Sequence, residues 1–136
     1  MDFFVFISEQ WLLVSLLVVL LYAFALNERY KAGTPASVHE VTRLINSEGA
    51  RVLDVRDRNE YSAGHIVDAI HIPHSEVAER IAELTPFKDK PLIVADKLGQ
   101  HAGAVGRLLK QRGFQVRRLQ GGMTEWASQN LPLVKA

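Results

Sequence analysis

The chain has 136 residues, 16 Lys plus Arg against 15 Asp plus Glu, and a formal net charge of +1. That length holds one small folded domain and excludes two, and the near-neutral balance gives no electrostatic case for nucleic acid or for strongly acidic partners. The absence of cysteine removes disulfides, thiolate metal sites and every form of cysteine catalysis.

Apolar residues are concentrated at the start. Trp11 to Leu26 is a run of sixteen uncharged residues, broken in polarity only by Ser15 and Tyr22. As a helix it spans about 24 Å, short of the roughly 30 Å hydrocarbon core, and extension back to Phe3 makes up the difference. A helix apolar on all sides belongs in a membrane or in a larger core than this chain offers. Ala23-Phe24-Ala25 has the form of a signal-peptidase site, but Asp2 and Glu9 precede the run and no Lys or Arg does, which favours an uncleaved anchor. Arg29 and Lys31 follow it, so the positive-inside rule places the N-terminus outside and the remainder in the cytoplasm. Residues 3–27 are thus read as a transmembrane anchor, 28–34 as a linker and 35–134 as a folded domain. Apart from Ala23 and Ala25 the anchor lacks closely spaced small residues, and Ser15 reads as isolated, so nothing signals dimerisation.

After the linker, Ser37-x-x-Glu40 has the form of a capping box opening a helix with Val38, Val41, Leu44 and Ile45 on its apolar face. Arg51–Val55 reads as a strand, Arg56–Tyr61 as a charged connection, and Ala69–Ile72 as a second short strand closed by Pro73. Ser75 is placed to cap a helix carrying Val77, Ile81 and Leu84, with Glu76 and Arg80 as an i,i+4 pair. Leu92–Ala95 reads as a buried strand, Asp96–His101 as a Gly-containing loop, and Ala102–Arg112 as a helix ended by Gly113. Phe114–Leu119 is a further strand, Gly121-Gly122 a tight turn, and Thr124–Ala127 the start of a last helix. Strands alternating with helices at this spacing predict a small α/β domain with a mostly parallel sheet and helices on both faces.

The strand-loop-helix at 92–112 is the stretch most suggestive of chemistry. A strand turning sharply into a helix aims loop N–H groups and the helix N-terminus at one point, an anion cradle, and a nucleophile commonly stands at the strand end. Here Asp96 stands there, followed by Lys97, Leu98, Gly99, Gln100, His101 and Ala102. An aspartate there could attack phosphorus, but no second carboxylate adjoins it in sequence to hold Mg²⁺. The expected role of Asp96 is structural: a fixed anion that satisfies the N–H donors itself and repels small oxyanions such as sulfate and phosphate. Asp54 and Arg56, at another strand end, are expected to brace the loop. His71 and His74 flank a proline turn without the third ligand a metal site needs, and no metal or cofactor is expected. His39 is expected to be exposed. Arg107, Lys110, Arg112, Arg117 and Arg118 form a basic set with no acid between them, suited to anionic lipid near a bilayer.

In chain order, Val52-Leu53-Asp54-Val55-Arg56, Glu60-Tyr61-x-x-Gly64-His65-Ile66-x-x-Ala69, Ile72-Pro73, Ile93-Val94 with its loop, Gly113-Phe114 and Leu119-x-Gly121-Gly122-x-x-x-Trp126 resemble a rhodanese-like (sulfurtransferase) domain. The anchor and the ending Trp126–Val134 also look like the bacterial membrane-anchored YibN group. The resemblance implies a loop of the form Cys-Arg-x-Gly-x-Arg, whose cysteine carries sulfane sulfur as a persulfide. On this chain the Cys position is Asp96, the first Arg Lys97, the Gly Gly99 and the second Arg His101. It therefore implies the scaffold without its nucleophile. The expected function is an inactive, membrane-anchored domain of the bacterial inner membrane that binds a membrane or membrane-proximal protein. A sulfurtransferase-related enzyme or sulfur/anion carrier using residues 96–102 is the alternative.

Overall fold

The computed structural model describes residues 3–31 and 33–135. Asp2 in the N-terminal flank and Ala32 in the expected linker lie outside the described residues. The chain divides into two compact units, Met1–Tyr30 and Lys31–Ala136.

The first unit is one uninterrupted helix, α1 (Phe3–Lys31). Ser8, Glu9 and Gln10 do not break it, and helix continues through the first four residues of the expected linker. Its Ser8–Asn27 stretch of 20 residues is long and apolar enough to cross a bilayer, and none of it is buried against other parts of the chain. At about 1.5 Å per residue that stretch covers the hydrocarbon thickness. The helix is consistent with a membrane anchor.

The second unit is built on a five-stranded sheet in the order β1-β5-β4-β2-β3, with every pair parallel. The strands are β1 (Thr34–Ala36), β2 (Arg51–Asp54), β3 (Ile70–His71), β4 (Pro91–Ala95) and β5 (Gln115–Leu119). Helices α2 (Val38–Glu48), α3 (Arg58–Ala63), α4 (Ala102–Gln111) and α5 (Gly122–Ser128) connect or follow them. Strand side chains alternate between faces, and the core divides accordingly. Val52, Ile93, Ala95 and Leu119 pack with Val41, Leu44, Met123 and Trp126 from α2 and α5. Leu53, Leu92, Val94 and Val116 pack on the other side with Ala102, Val105 and Leu109 from α4 and with Val77 and Leu84. Central strands covered on both faces explain why β4 is apolar at nearly every position rather than alternating.

Ser37 accepts the Glu40 N–H at 3.2 Å, and Gly49 closes α2 in the left-handed region with its N–H on the Leu44 carbonyl. The Glu40 side chain does not complete a capping box; it turns to Arg117 at 3.0 Å. Three further expectations are corrected. The start of the expected linker-to-domain junction, Thr34-Pro35-Ala36, is a strand, which pairs with Arg117–Leu119 at the sheet edge where Pro35 needs no donor. The charged connection after β2 contains α3, a six-residue helix with no buried residue and hence no apolar periodicity to reveal it. The helix expected from Ser75 is instead two 3₁₀ segments, His74–Glu76 and Ile81–Phe87. Pro86 lies inside the second segment, and a proline there removes a donor and crowds the preceding turn of an α-helix. The Glu76–Arg80 pair forms at 3.8 Å, but Arg80 makes its shorter contact, 2.7 Å, with Glu83.

The entry to α5 is fixed to the β4–α4 loop. Met123 N–H donates to the Asp96 carbonyl at 2.6 Å and Thr124 N–H to the Lys97 carbonyl at 3.0 Å. This approach requires glycine at 122: its φ is +64°, and a Cβ there would lie 2.5 Å from the Asp96 carbonyl oxygen. Gly122→Ala is expected to lower unfolding stability by about 3 kcal/mol. Denaturant unfolding followed by Trp126 emission in a Trp11→Phe background measures it, and an unchanged midpoint would refute the close packing.

Candidate functional site

In an all-parallel sheet the loops leaving the carboxyl ends of the strands collect on one edge, and there the site lies. Asp96 follows β4 directly and is buried, 2% exposed. The loop from Asp96 to His101 curls around its side chain. One carboxylate oxygen accepts the Gly99 N–H; the other accepts the His101 N–H at 2.6 Å and the Ala102 N–H at 3.0 Å. Gly99, at φ +103°, turns the loop back so that these donors converge. His101 and Ala102 stand at the start of α4, where the helix dipole adds to the attraction for an anion. The cradle is present, and its anion is the protein's own. The side chain of Asp96 is held by the loop and its carbonyl by α5.

Beside it is a small cavity of about 70 Å³ lined by Val55, Arg56, Asp57, Glu60, His74, Asp96, Lys97, Gln100 and His101. Among its lining residues the His74 and His101 rings stack face to face, centroids 3.8 Å apart and planes within 3°. Their contact joins the segment after β3 to the loop after β4. Leu98, at the loop tip, is 60% exposed, and its N–H is held by the Gln100 side chain at 3.0 Å.

Asp54 and Arg56 form the brace on the neighbouring strand end. Arg56 makes a two-pronged contact with the buried Asp54 carboxylate, at 2.7 Å for the shortest prong, and donates to the Gly64 carbonyl at 2.7 Å. Asp54 also accepts the Arg56 backbone N–H. The Nε and Nη2 donors of Arg56 are thus committed to the fold. His71 and His74 go to different partners. His71 stacks on Tyr61 at 4.2 Å with its Nε2 at 2.8 Å from the Arg56 carbonyl, whereas His74 stacks on His101. Tyr61 lies between two imidazoles, with His65 on its other face at 3.8 Å. His39 is exposed on α2. Among the described residues no group of three or more His, Cys, Asp or Glu comes close enough to hold a metal ion.

The five basic residues expected to act together do not share a face. Arg117 points to the α2 side of β5, where it binds Glu40 at 3.0 Å and the Pro35 carbonyl at 3.2 Å. Arg118, one residue on, has the opposite orientation and donates to the Gly33 carbonyl at 2.8 Å. Arg107 and Lys110 belong to α4 and Arg112 to its end. Period-two alternation along the strand is what separates the adjacent pair. Sequence reading missed His74 as the partner of His101 and Gly122 as the contact of the loop. The doubled glycine before a helix was the available sign of close backbone approach.

The rhodanese-like domain model matches residues 37–129, and the chain belongs to that family. It is 37% identical over 131 residues to the uncharacterized protein YibN of Escherichia coli K12, covering 95% of this chain and 90% of that one. It is 30% identical over 104 residues to thiosulfate sulfurtransferase GlpE of Actinobacillus pleuropneumoniae serotype 7, covering 76% and 94%. Among solved structures, a rhodanese-related protein from Thermoplasma volcanium superposes with TM-score 0.69 at 28% identity, over 76% of this chain and 99% of the other. The family's fold is present and its catalytic cysteine is not: the chain contains no cysteine at all. Without a sulfur nucleophile no persulfide forms, consistent with loss of sulfurtransferase activity.

Two outcomes are expected from this geometry. Asp96→Ala leaves three N–H groups around a buried void and is expected to cost roughly 3 kcal/mol of stability. Sulfate should restore part of the lost melting temperature in Asp96→Ala and leave the wild type unmoved; equal responses would show that Asp96 does not occupy the cradle. Burial of the Tyr61 hydroxyl, together with the nearby Asp54 charge, raises its pKa above the ordinary 10.0, while Arg56 acts the other way. A raised value in the folded state means that Tyr61 contributes stability below pH 10 that is lost as pH rises through its folded pKa. The phenolate absorbance difference between wild type and Tyr61→Phe should therefore appear above pH 10 when folded and return to the ordinary range in denaturant.

Proposed function

We propose that this chain is a membrane-anchored, catalytically inactive rhodanese-like domain that serves as a protein-interaction module at the cytoplasmic face of a bacterial inner membrane. The observation that carries the reading is the self-filled cradle: the Asp96 carboxylate takes the N–H groups of Gly99, His101 and Ala102 that an oxyanion would otherwise use. The loop keeps its shape with neither nucleophile nor vacancy. The loop holds Leu98 exposed, with its N–H bonded to the Gln100 side chain, and this exposed apolar side chain is the contact proposed for a partner surface.

The long apolar helix supports residence at a membrane, and Arg29 and Lys31 after the apolar run support a cytoplasmic orientation for the rhodanese-like domain. The likeness to a bacterial protein of nearly the same length supports the bacterial setting. A domain fixed to a bilayer meets partners in the same membrane at high effective concentration, so the partner is expected to be a membrane or membrane-proximal protein. Anionic headgroups would contact the basic positions of α4, Arg107, Lys110 and Arg112.

The test is crosslinking of the full-length protein in native membranes, with subsequent purification in mild detergent. One membrane protein should be recovered in near-stoichiometric amount, and Leu98→Asp should reduce that recovery at least about fivefold without lowering the melting temperature. A parallel version with residues 3–26 replaced by an unrelated anchor assigns recognition to the domain or to the helix. Absence of any stoichiometric partner with either version would end the interaction-module reading.

A further inference from the structure

We infer that the edge of the sheet where the chain enters the domain docks on anionic lipid headgroups through Lys88, Lys90 and Arg112, directing the Asp96 loop away from the bilayer. This rests on the membrane-anchor reading above and specifies which surface of the domain meets the membrane. Beyond the apolar Ser8–Asn27 stretch, α1 continues over residues 28–31, about 6 Å of helix. The headgroup layer on each side of a bilayer is itself about 5–7 Å deep. Gly33 already belongs to the fold. It is buried at φ +90°, a Cβ on it would lie 2.9 Å from the Val116 carbonyl oxygen, and its carbonyl accepts the Arg118 Nε–H at 2.8 Å. From Lys31 to Gly33 is two Cα steps, at most about 7 Å. The fixed part of the domain therefore begins at the outer margin of the headgroups.

The parallel sheet extends that position to a whole edge. All strands run the same way, so the starts of β1, β5, β4 and β2 share the entry edge, and the Asp96 loop lies at the other. Thr34 pairs with Arg117, whereas Gln115 pairs with Pro91, so β5 and β4 begin two residues further toward the entry edge than β1 does. Lys88 and Lys90 lead into β4, Arg112 closes α4 ahead of β5, and all three are exposed. Lys88 Nζ lies 5.4 Å from the centre of the Phe114 ring, and a Cβ on Gly49 would lie 3.6 Å from Lys90 Nζ, so the two lysines cover the turns that follow α4 and α2. Among the described residues none of the three makes an ion pair, whereas Arg43, Arg56, Arg80 and Arg117 each do. Arg51 and Lys110 add positive charge at this edge, against Glu48, Asp68 and Asp89. Lining the cavity at the opposite edge are Asp57, Glu60 and Asp96 against Arg56 and Lys97. An anionic surface thus attracts the entry edge in preference to the site edge.

The test places full-length protein in nanodiscs of mixed phosphatidylcholine and phosphatidylglycerol, and in nanodiscs of phosphatidylcholine alone. The chain has no cysteine, so a single fluorophore goes on Gln115→Cys at the entry edge or on Leu98→Cys at the other, with a contact-range quencher on the lipid headgroups. In the mixed discs quenching is expected to be at least about threefold stronger at 115 than at 98, and the ratio should fall at least about twofold without the anionic lipid. Lys88→Gln, Lys90→Gln and Arg112→Gln together should bring the mixed-disc ratio down to the phosphatidylcholine value at unchanged melting temperature, while Arg58→Gln with Lys97→Gln should leave it as it was. Equal quenching at the two positions in a disc-retained chain would overturn the docking and leave the anchor reading intact. So would a ratio indifferent to lipid charge, or one lost equally with the Arg58 and Lys97 pair. Inorganic phosphate at constant ionic strength should not change the ratio; its abolition would make free phosphate the ligand and overturn the lipid. A chain that the discs do not retain would overturn the docking together with the anchor.

Discussion

The structure depends on one buried carboxylate at the junction of a central strand and the helix after it. β4 is covered on both faces, so the chain leaving it must turn within a few residues into α4, and that turn points three backbone N–H groups inward. Donors converging away from water are costly unless something accepts them. In a loop that binds anions, solvent or ligand does so for part of the time. Here Asp96 does so permanently, and its charge meets the positive end of α4. The same residue passes its carbonyl to Met123, so β4, α4 and α5 all meet at a single position.

This accounts for how the fold tolerates the loss of its chemistry. A small hydrophobic residue at position 96 would have left the cradle empty and the N–H groups unsatisfied. A longer carboxylate would have to bend back to reach donors that surround the first atoms of the side chain. Aspartate reaches all three donors with a short side chain at the strand end, and the brace of Asp54 and Arg56 keeps the adjacent strand end in place independently. The second interaction is buried and two-pronged, and it directs the Nε and Nη2 donors of Arg56 toward the scaffold.

Legibility in the sequence divides along physical lines. Elements stabilised by periodic apolar burial could be read: α2, β2, β4 and α4 each carry a run or stripe whose spacing matches its structure. The loop from Asp96 could be placed because a strand run, a glycine and a helical stripe bracket it. Elements held by other means could not be read. β1 is three residues of sheet edge containing a proline, held by the strand beside it and by nothing in its own pattern. α3 buries no residue fully and owes its place to Tyr61, whose ring is clamped between imidazoles from positions 65 and 71. The 3₁₀ segments carry apolar residues at helical spacing, so the pattern reads as an α-helix; Pro86, expected only to end that helix, lies inside the second segment. The scattering of the basic set has the same kind of cause. Linear proximity of Arg117 and Arg118 means opposite faces on a strand, and only knowing that the segment is a strand makes that visible.

The two units place opposite demands on their polar groups. In the domain each inward-facing polar group at the site is met within the chain: Asp96 by the loop, Asp54 by Arg56, the Tyr61 hydroxyl by the Ala69 carbonyl at 3.3 Å. The cavity beside Asp96 is still lined by Asp57, Glu60 and Lys97, so recognition of this surface can rest on those charges as well as on Leu98 and the stacked imidazoles. The helix carries no comparable network: its Trp11–Leu26 stretch is apolar apart from Ser15 and Tyr22, and its exposed apolar side chains are consistent with a membrane anchor.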